Sequence, residues 1–293
     1  MPLIATLISN PATKALTAPL TARLSDISAS VDWLADAVAC DIVIREGVQR
    51  SEAEAAIRDA AASEPIDVVI HENAGRRKKI LIADMDSTMI DQECIDELAD
   101  EVGLKAHVAA ITARSMNGEI AFEPALRARV ALLRGLDTAV IDRIIARRIT
   151  LASGGRELVQ TMRAAGCWTA LVSGGFTAFT GPIAEKLGFD ENRANQLLEE
   201  GGKLVGEVAE PILGREAKAV ALRDIAARHA LTPADAIAVG DGANDLDMIR
   251  LAGTGVALHA KPAVAAQAGI RIDHGDLTAL LYIQGFRQSE FRQ

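Results

Sequence analysis

Apolar positions follow three rhythms along the chain. As far as residue 75, short aliphatic runs alternate with two helical stretches. Pro2 to Ser9 predicts a strand and Pro11 to Leu24 a helix interrupted or kinked near Pro19, followed by two extended segments around Ser30–Leu34 and Cys40–Arg45. Ser51 and Glu54 have the spacing of a capping box opening a helix to Ala62, and Ile66-Asp67-Val68-Val69-Ile70 predicts the last strand. The order βαββαβ is that of a ferredoxin-like α+β module over residues 1–75. Such modules bind amino acids in some proteins, pair with a second copy in others and merely pack in the rest, so a homodimer through this one is left open.

The second rhythm is that of a parallel α/β core, expected over residues 76–90 and 151–293. Ile80-Leu81-Ile82-Ala83 is a buried strand ending in Asp84-Met85-Asp86-Ser87-Thr88, where two carboxylates at i and i+2 of an extended segment face the same way. Carboxylates this close repel, which implies a cation or a shared proton between them. The strand Cys167–Val172 ends at a turn, Ser173-Gly174-Gly175, able to offer a hydroxyl and main-chain N–H groups to a phosphate. Asn195 to Pro211 predicts a hairpin turning at Gly201-Gly202, and the helix near Gly214–His229 carries Lys218. Ala236-Ile237-Ala238-Val239 again ends in acids, on the loop Gly240-Asp241-Gly242-Ala243-Asn244-Asp245, so Asp241 and Asp245 can join Asp84 and Asp86. Strands at Gly255–Leu258 and Gly269–Ile272 and a helix at Leu277–Phe286 complete the core.

Between these halves, residues 91–150 are helical throughout, the pattern of a cap that closes over a site and excludes water. Phe122, Leu126, Arg129 and Leu133 fall at i, i+4, i+7 and i+11, which puts a cation on the apolar face of its helix. Such a charge calls for an anionic partner. Ahead of the core, Asn73-Ala74-Gly75-Arg76-Arg77-Lys78-Lys79 predicts a solvated linker.

Composition narrows the function. With 49% hydrophobic residues the chain can bury sizeable cores, and a net charge of −9 disfavours a nucleic-acid partner. No apolar run approaches the ~18 residues of a membrane span, and a cytoplasmic protein without membrane contact is expected. Cys40, Cys94 and Cys167 are far apart and predict reduced thiols.

Together these stretches resemble the haloacid dehalogenase-like phosphotransferases. The likeness lies in Asp84-Met85-Asp86-Ser87-Thr88, Ser173, Lys218 and Gly240-Asp241-Gly242-Ala243-Asn244-Asp245, in order, with the cap in the expected gap. Within them the cap resembles that of the phosphoserine phosphatase family, through Glu93, Met116-Asn117-Gly118 with Phe122, and Arg129. The N-terminal module is similar to the ACT-like domains of some members.

The resemblance implies hydrolysis of O-phospho-L-serine to serine and phosphate, the last step of serine biosynthesis. It makes Asp84 the nucleophile, Asp86 the acid and base, and Lys218 a phosphate ligand and charge offset. Mg²⁺ would be held by Asp84, Asp86 and Asp241. Ser173, Gly174, Gly175 and Asn244 would hold phosphate, with Asp245 orienting Lys218 or a metal-bound water, and Glu93, Arg129, Met116 and Phe122 would select the substrate. Alternatives are another small phosphate ester, such as phosphothreonine or phosphohomoserine, and a sensor keeping the fold without catalysis. A Rossmann dinucleotide site is disfavoured, since no GxGxxG follows a first strand.

Overall fold

The computed structural model describes residues 3–293; Met1 and Pro2, the expected start of the first strand, lie outside the described residues. The N-terminal part contains β1 (Leu3–Ser9), α1 (Ala18–Ala22), β2 (Ser28–Ala35), β3 (Ala39–Ile44), α2 (Arg50–Ala61) and β4 (Ile66–Glu72), with the antiparallel order β2-β3-β1-β4. That is a ferredoxin-like α+β arrangement. One face of this sheet buries Leu7, Ile42 and Ile44 against Leu20 and Ile57 of its own helices, while Ile8, Val38 and Val69 join the core of the rest of the chain.

Two local expectations fail in this part. The first helix is only Ala18–Ala22: Pro19 sits in its first turn, where a missing N–H costs nothing, and does not kink a longer helix. Helix α2 begins one residue before Ser51, behind Gln49, with no side-chain cap, so Ser51 and Glu54 form no capping box.

The core strands are β5 (Ile80–Ala83), β6 (Trp168–Phe176), β7 (Glu191–Asn195), β10 (Ala236–Gly240), β11 (Thr254–Leu258) and β12 (Ile270–Ile272), with a hairpin of β8 (Leu197–Glu200) and β9 (Lys203–Val208) set apart. The six form one all-parallel sheet of order β12-β11-β10-β5-β6-β7. The chain winds outward from β5 through β6 and β7, then crosses back to β10. The β5–β10 boundary is therefore a topological switch point, where the carboxyl ends of strands leave a crevice.

Both faces of β5 are covered, which is why its run is continuously apolar. Leu81 and Ala83 pack into one cluster, whereas Ile80 and Ile82 pack with Leu222 and Ile225 in the other.

The cap is made of α3 (Cys94–Asp100), α4 (Lys105–Met116), α5 (Phe122–Ala131) and α6 (Val140–Arg147). It is joined to the core at an isolated bridge between Ile90 and Leu151. The core helices are α7 (Gly155–Ala164), α8 (Thr177–Leu187), α9 (Arg215–Arg228), α10 (Leu246–Leu251), α11 (Pro262–Ala265) and α12 (Ala279–Ile283). The hairpin leans on the cap: Gly135 N donates to Leu204 O at 2.8 Å, and a Cβ on Gly206 would come within 3.0 Å of Arg134 Cβ.

The basic segment 73–79 is exposed at Asn73, Ala74, Gly75, Arg77 and Lys79, as a solvated linker should be, yet it is also pinned to its neighbours. Arg76 pairs with Asp41 at 2.7 Å, Arg77 lies over the Phe286 ring at 3.8 Å, and Lys78 N donates to Gln284 Oε1 at 3.0 Å. Cation stacking and a buried carboxylate reward order where composition alone suggests solvation.

Candidate active site

Asp84 follows β5 directly and its amide donates to Val239 O at 3.0 Å, so the sheet ladder itself fixes where the carboxylate leaves the strand. Its Oδ1 stands 2.6 Å from Lys218 Nζ and accepts the Met85 amide at 2.8 Å. Among the described residues nothing hydrogen-bonds Oδ2. Lys218, on α9, is fully buried and also lies 2.6 Å from Asp245 Oδ1. Burial works against its charge, but Asp245 and Asp84 outweigh that and hold the ammonium well above its ordinary range. Asp84 itself is pushed up, first by burial and then by Asp245, with Lys218 opposing.

Asp86 is turned differently. Its Oδ1 accepts the Cys94 amide at 2.8 Å, closing the N-terminus of α3, and its Oδ2 accepts Ser173 Oγ at 3.2 Å. Burial raises it above its ordinary value against those bonds, the direction that favours a group giving up a proton as a general acid.

Ser173-Gly174-Gly175 does not turn out of the sheet as expected. It continues β6, whose pairing with β7 slips between Val172 and Phe176, so that the run bulges under Asp86. A Cβ on Gly175 would sit 2.7 Å from Asp86 Oδ2, so only glycine lets the main chain approach this carboxylate.

On the β10 side, Asp241 is buried and neither of its oxygens has a hydrogen bond; Lys261 Nζ stands 3.2 Å from Oδ2 without hydrogen-bond geometry. Burial, then Asp245, pushes Asp241 to about 7. Carboxylate oxygens of Asp84, Asp241 and Asp245 lie within 4.8 Å of one another. A buried carboxylate that accepts no hydrogen bond, in an all-oxygen donor set, fits a hard divalent cation. The compact triad contains Asp245 where the sequence suggested Asp86, because Asp86 spends its side chain on Cys94 and Ser173.

From the cap, Glu93, Met116, Phe122 and Arg129 meet Asp84, Asp86, Ser173, Gly174, Gly175 and Asn244 around one cavity of about 40 Å³. Ser87, in the left-handed region at φ 53°, donates to Glu93 Oε1 at 2.7 Å. Burial, then Asp86 and Asp241, raises Glu93 to about 8. Arg129 is 5% exposed. Its Nε donates to Ala125 O at 3.0 Å and its Nη1 to Thr112 Oγ1 at 2.9 Å, yet no carboxylate of the described residues lies within ion-pair distance. Burial pulls the guanidinium below its usual range, with Glu93, Asp96 and Asp86 opposing. A buried cation that lacks a partner, facing a cavity, is a receptor for an anion.

The cap is closed. Cβ atoms on Gly174 and Gly242 would fall 2.7 Å from Phe122 Cζ and 2.3 Å from Met116 Cε. A volume of about 40 Å³ holds a few waters at ~10–15 Å³ each, too little for a larger ligand in this arrangement of cap and core.

Every residue singled out in the sequence thus converges here or stands directly behind Asp84. Lys261 and Asn195 were not foreseen. A lysine opening a short helix and an asparagine ending a strand carry no signal until the fold sets one on Asp241 and the other on Gly174.

Comparison with known proteins adds four findings. A family model described as haloacid dehalogenase-like hydrolase matches residues 81–250. The phosphoserine phosphatase of Streptomyces coelicolor is 36% identical over 98% of this chain and 71% of its own length. Among solved structures, a phospho-aspartyl intermediate analogue of phosphoserine phosphatase is 40% identical with a TM-score of 0.67, covering 70% of this chain and 98% of that one. A probable phosphoserine phosphatase from Vibrio cholerae, unliganded, is 30% identical with a TM-score of 0.77, covering 99% and 88%.

Proposed function

The chain belongs to the haloacid dehalogenase-like hydrolases, and from that premise we propose that it is a Mg²⁺-dependent phosphoserine phosphatase, hydrolysing O-phospho-L-serine through an aspartyl-phosphate. The carrying observation is Arg129: a buried guanidinium with no ion-pair partner, sharing a cavity with Glu93 and with the Asp84 and Asp86 pair. A phosphorylated amino acid has the three charged groups this cavity complements. Its carboxylate meets Arg129, its ammonium meets Glu93, and its phosphate meets Ser173, the Gly174 and Gly175 main chain, Asn244 and Lys218. Met116 and Phe122 close the apolar wall. Phosphothreonine and phosphohomoserine carry the same groups and remain the alternative substrates.

Asp84 Oδ2, the oxygen free of hydrogen bonds, attacks phosphorus while Oδ1 stays on Lys218. The bond to the serine oxygen breaks and Asp86 supplies that oxygen with a proton. Asp86, now ionised and steadied by the Cys94 amide, takes a proton from the water that hydrolyses the acyl phosphate. Lys218 offsets charge on the phosphoryl oxygens, and Asp245 keeps Lys218 aimed.

Mg²⁺ would be held by Asp84 and Asp241 beside Asp245, with Asp86, whose carboxylate oxygens accept from Cys94 and Ser173, next to them. When bound, it supplies charge neutralisation for phosphoryl transfer. Residues 1–75, the 91–150 cap and the remaining core are proposed as three units, with cytoplasmic location and pairing through the first unit part of the same reading. No helix of the described residues is long and apolar enough to cross a membrane.

Phosphate release from L-phosphoserine, with and without Mg²⁺ and beside Asp84→Asn, tests the reading. Metal-dependent release that vanishes in the variant is expected; no release from the wild type would overturn it.

A further inference from the structure

Asn195 ends β7 with its side chain buried at 3% exposure. Its carboxamide joins two segments that the sheet does not join. Nδ2 donates to Gly174 O at 2.8 Å and to Leu213 O at 3.2 Å, and Leu213 N donates to Oδ1 at 2.6 Å. Both donors and one acceptor lone pair are used, and the reversed orientation would set oxygen against two carbonyls.

Each end of this clamp leads to a reacting group. Gly174 O belongs to the peptide whose N–H, that of Gly175, donates to Ser173 Oγ at 2.8 Å, and Ser173 Oγ donates to Asp86 Oδ2 at 3.2 Å. Leu213 precedes Gly214, the N-cap of α9, whose carbonyl accepts the Lys218 amide at 3.4 Å. The same two glycines floor the cap, since a Cβ on Gly174 would lie 2.7 Å from Phe122 Cζ and one on Gly214 3.3 Å from Phe122 Cδ1. Because the β6–β7 ladder slips between Val172 and Phe176, a side chain holds Gly174 where a neighbouring strand ordinarily would.

We infer that Asn195 is a positioning residue for phosphoryl transfer. It sets the separation between the Ser173–Gly175 run and the start of the Lys218 helix, and so the slot into which Phe122 closes. This deepens the phosphatase reading and rests on it.

The test compares Asn195→Ala and Asn195→Ser with the wild type on L-phosphoserine and on phosphoethanolamine, which lacks a carboxylate. Since misplacing reacting groups by about an ångström costs on the order of 100-fold, kcat should fall about ten- to hundredfold in Asn195→Ala. The factor should be the same on both esters, with KM for phosphoserine changed less than about threefold. Asn195→Ser, which keeps one donor, should recover part of kcat, and it serves alone if the alanine variant does not fold. A kcat within twofold of wild type, or a loss confined to KM for phosphoserine, overturns the inference. An inactive wild type would instead sink the phosphatase reading, whereas an active wild type beside fully active variants sinks only the role of Asn195.

Discussion

Replacing Arg129 by methionine separates its two consequences. In the free protein the guanidinium makes hydrogen bonds to Ala125 O and Thr112 Oγ1 and is buried without an ion pair. Losing two hydrogen bonds costs about 1–3 kcal/mol, while removing an unpaired buried cation recovers a desolvation penalty of similar size. The melting temperature should therefore move by no more than a few degrees, at about 2–4 °C per kcal/mol for a chain of this size. With phosphoserine bound the balance differs. Truncating one partner of a buried charge pair costs about 2–5 kcal/mol, so kcat/KM should fall by about 30-fold to a few thousandfold. On phosphoethanolamine the change should stay within about threefold. Arg129→Lys should recover only part, since an ammonium lacks the planar fork that grips a carboxylate. Steady-state kinetics on the two esters and a thermal melt complete the assay. Equal losses on both esters, or a collapse in melting temperature, would refute the carboxylate role.

Other outcomes follow from the same site. Folded-state values near 7 for Asp241 and 8 for Glu93 exceed their unfolded 3.8 and 4.5, so between these limits the folded chain binds more protons than the unfolded one. Metal-free protein should thus lose melting temperature as pH rises from 5 to 8, and saturating Mg²⁺ should flatten that slope; a metal-free slope of opposite sign contradicts the burial argument. Lys218→Met strands Asp84 and Asp245 without their shared cation, and stability measured by denaturant should fall by about 3–5 kcal/mol at neutral pH, less at pH 5, with phosphatase activity lost. In Gly174→Ala the new methyl would meet Phe122, so kcat/KM should drop about tenfold at unchanged melting temperature, with partial rescue by Phe122→Leu. Failure of that rescue would place the clash elsewhere.

The sheet and its acids were legible because a strand buried on both faces is uniformly apolar and the first polar residues after it must lie at its carboxyl edge. Asp84 and Asp241 follow that rule on β5 and β10, whereas Ser173 stands inside β6, where the pairing with β7 slips. Arg129 was legible for the complementary reason, a charge on an apolar helical face. The short α1, the uncapped α2 and the pinned basic segment were not, because tertiary partners such as Asp41 and Phe286 decide them. Nor was the division of labour between Asp86 and Asp245: two acids in similar local sequence are told apart only by what surrounds them, the Cys94 amide for one and Lys218 for the other. Asn195 is the extreme case, a residue whose partners are all main chain of distant segments.

Turnover through an aspartyl-phosphate requires that Asp84 itself become phosphorylated. Acid quenching of wild-type protein during turnover of L-phosphoserine, followed by peptide mapping, should place the phosphoryl group on the peptide containing Asp84 and find none in Asp84→Asn. A label on another residue, or phosphate released by Asp84→Asn at the wild-type rate, would contradict it.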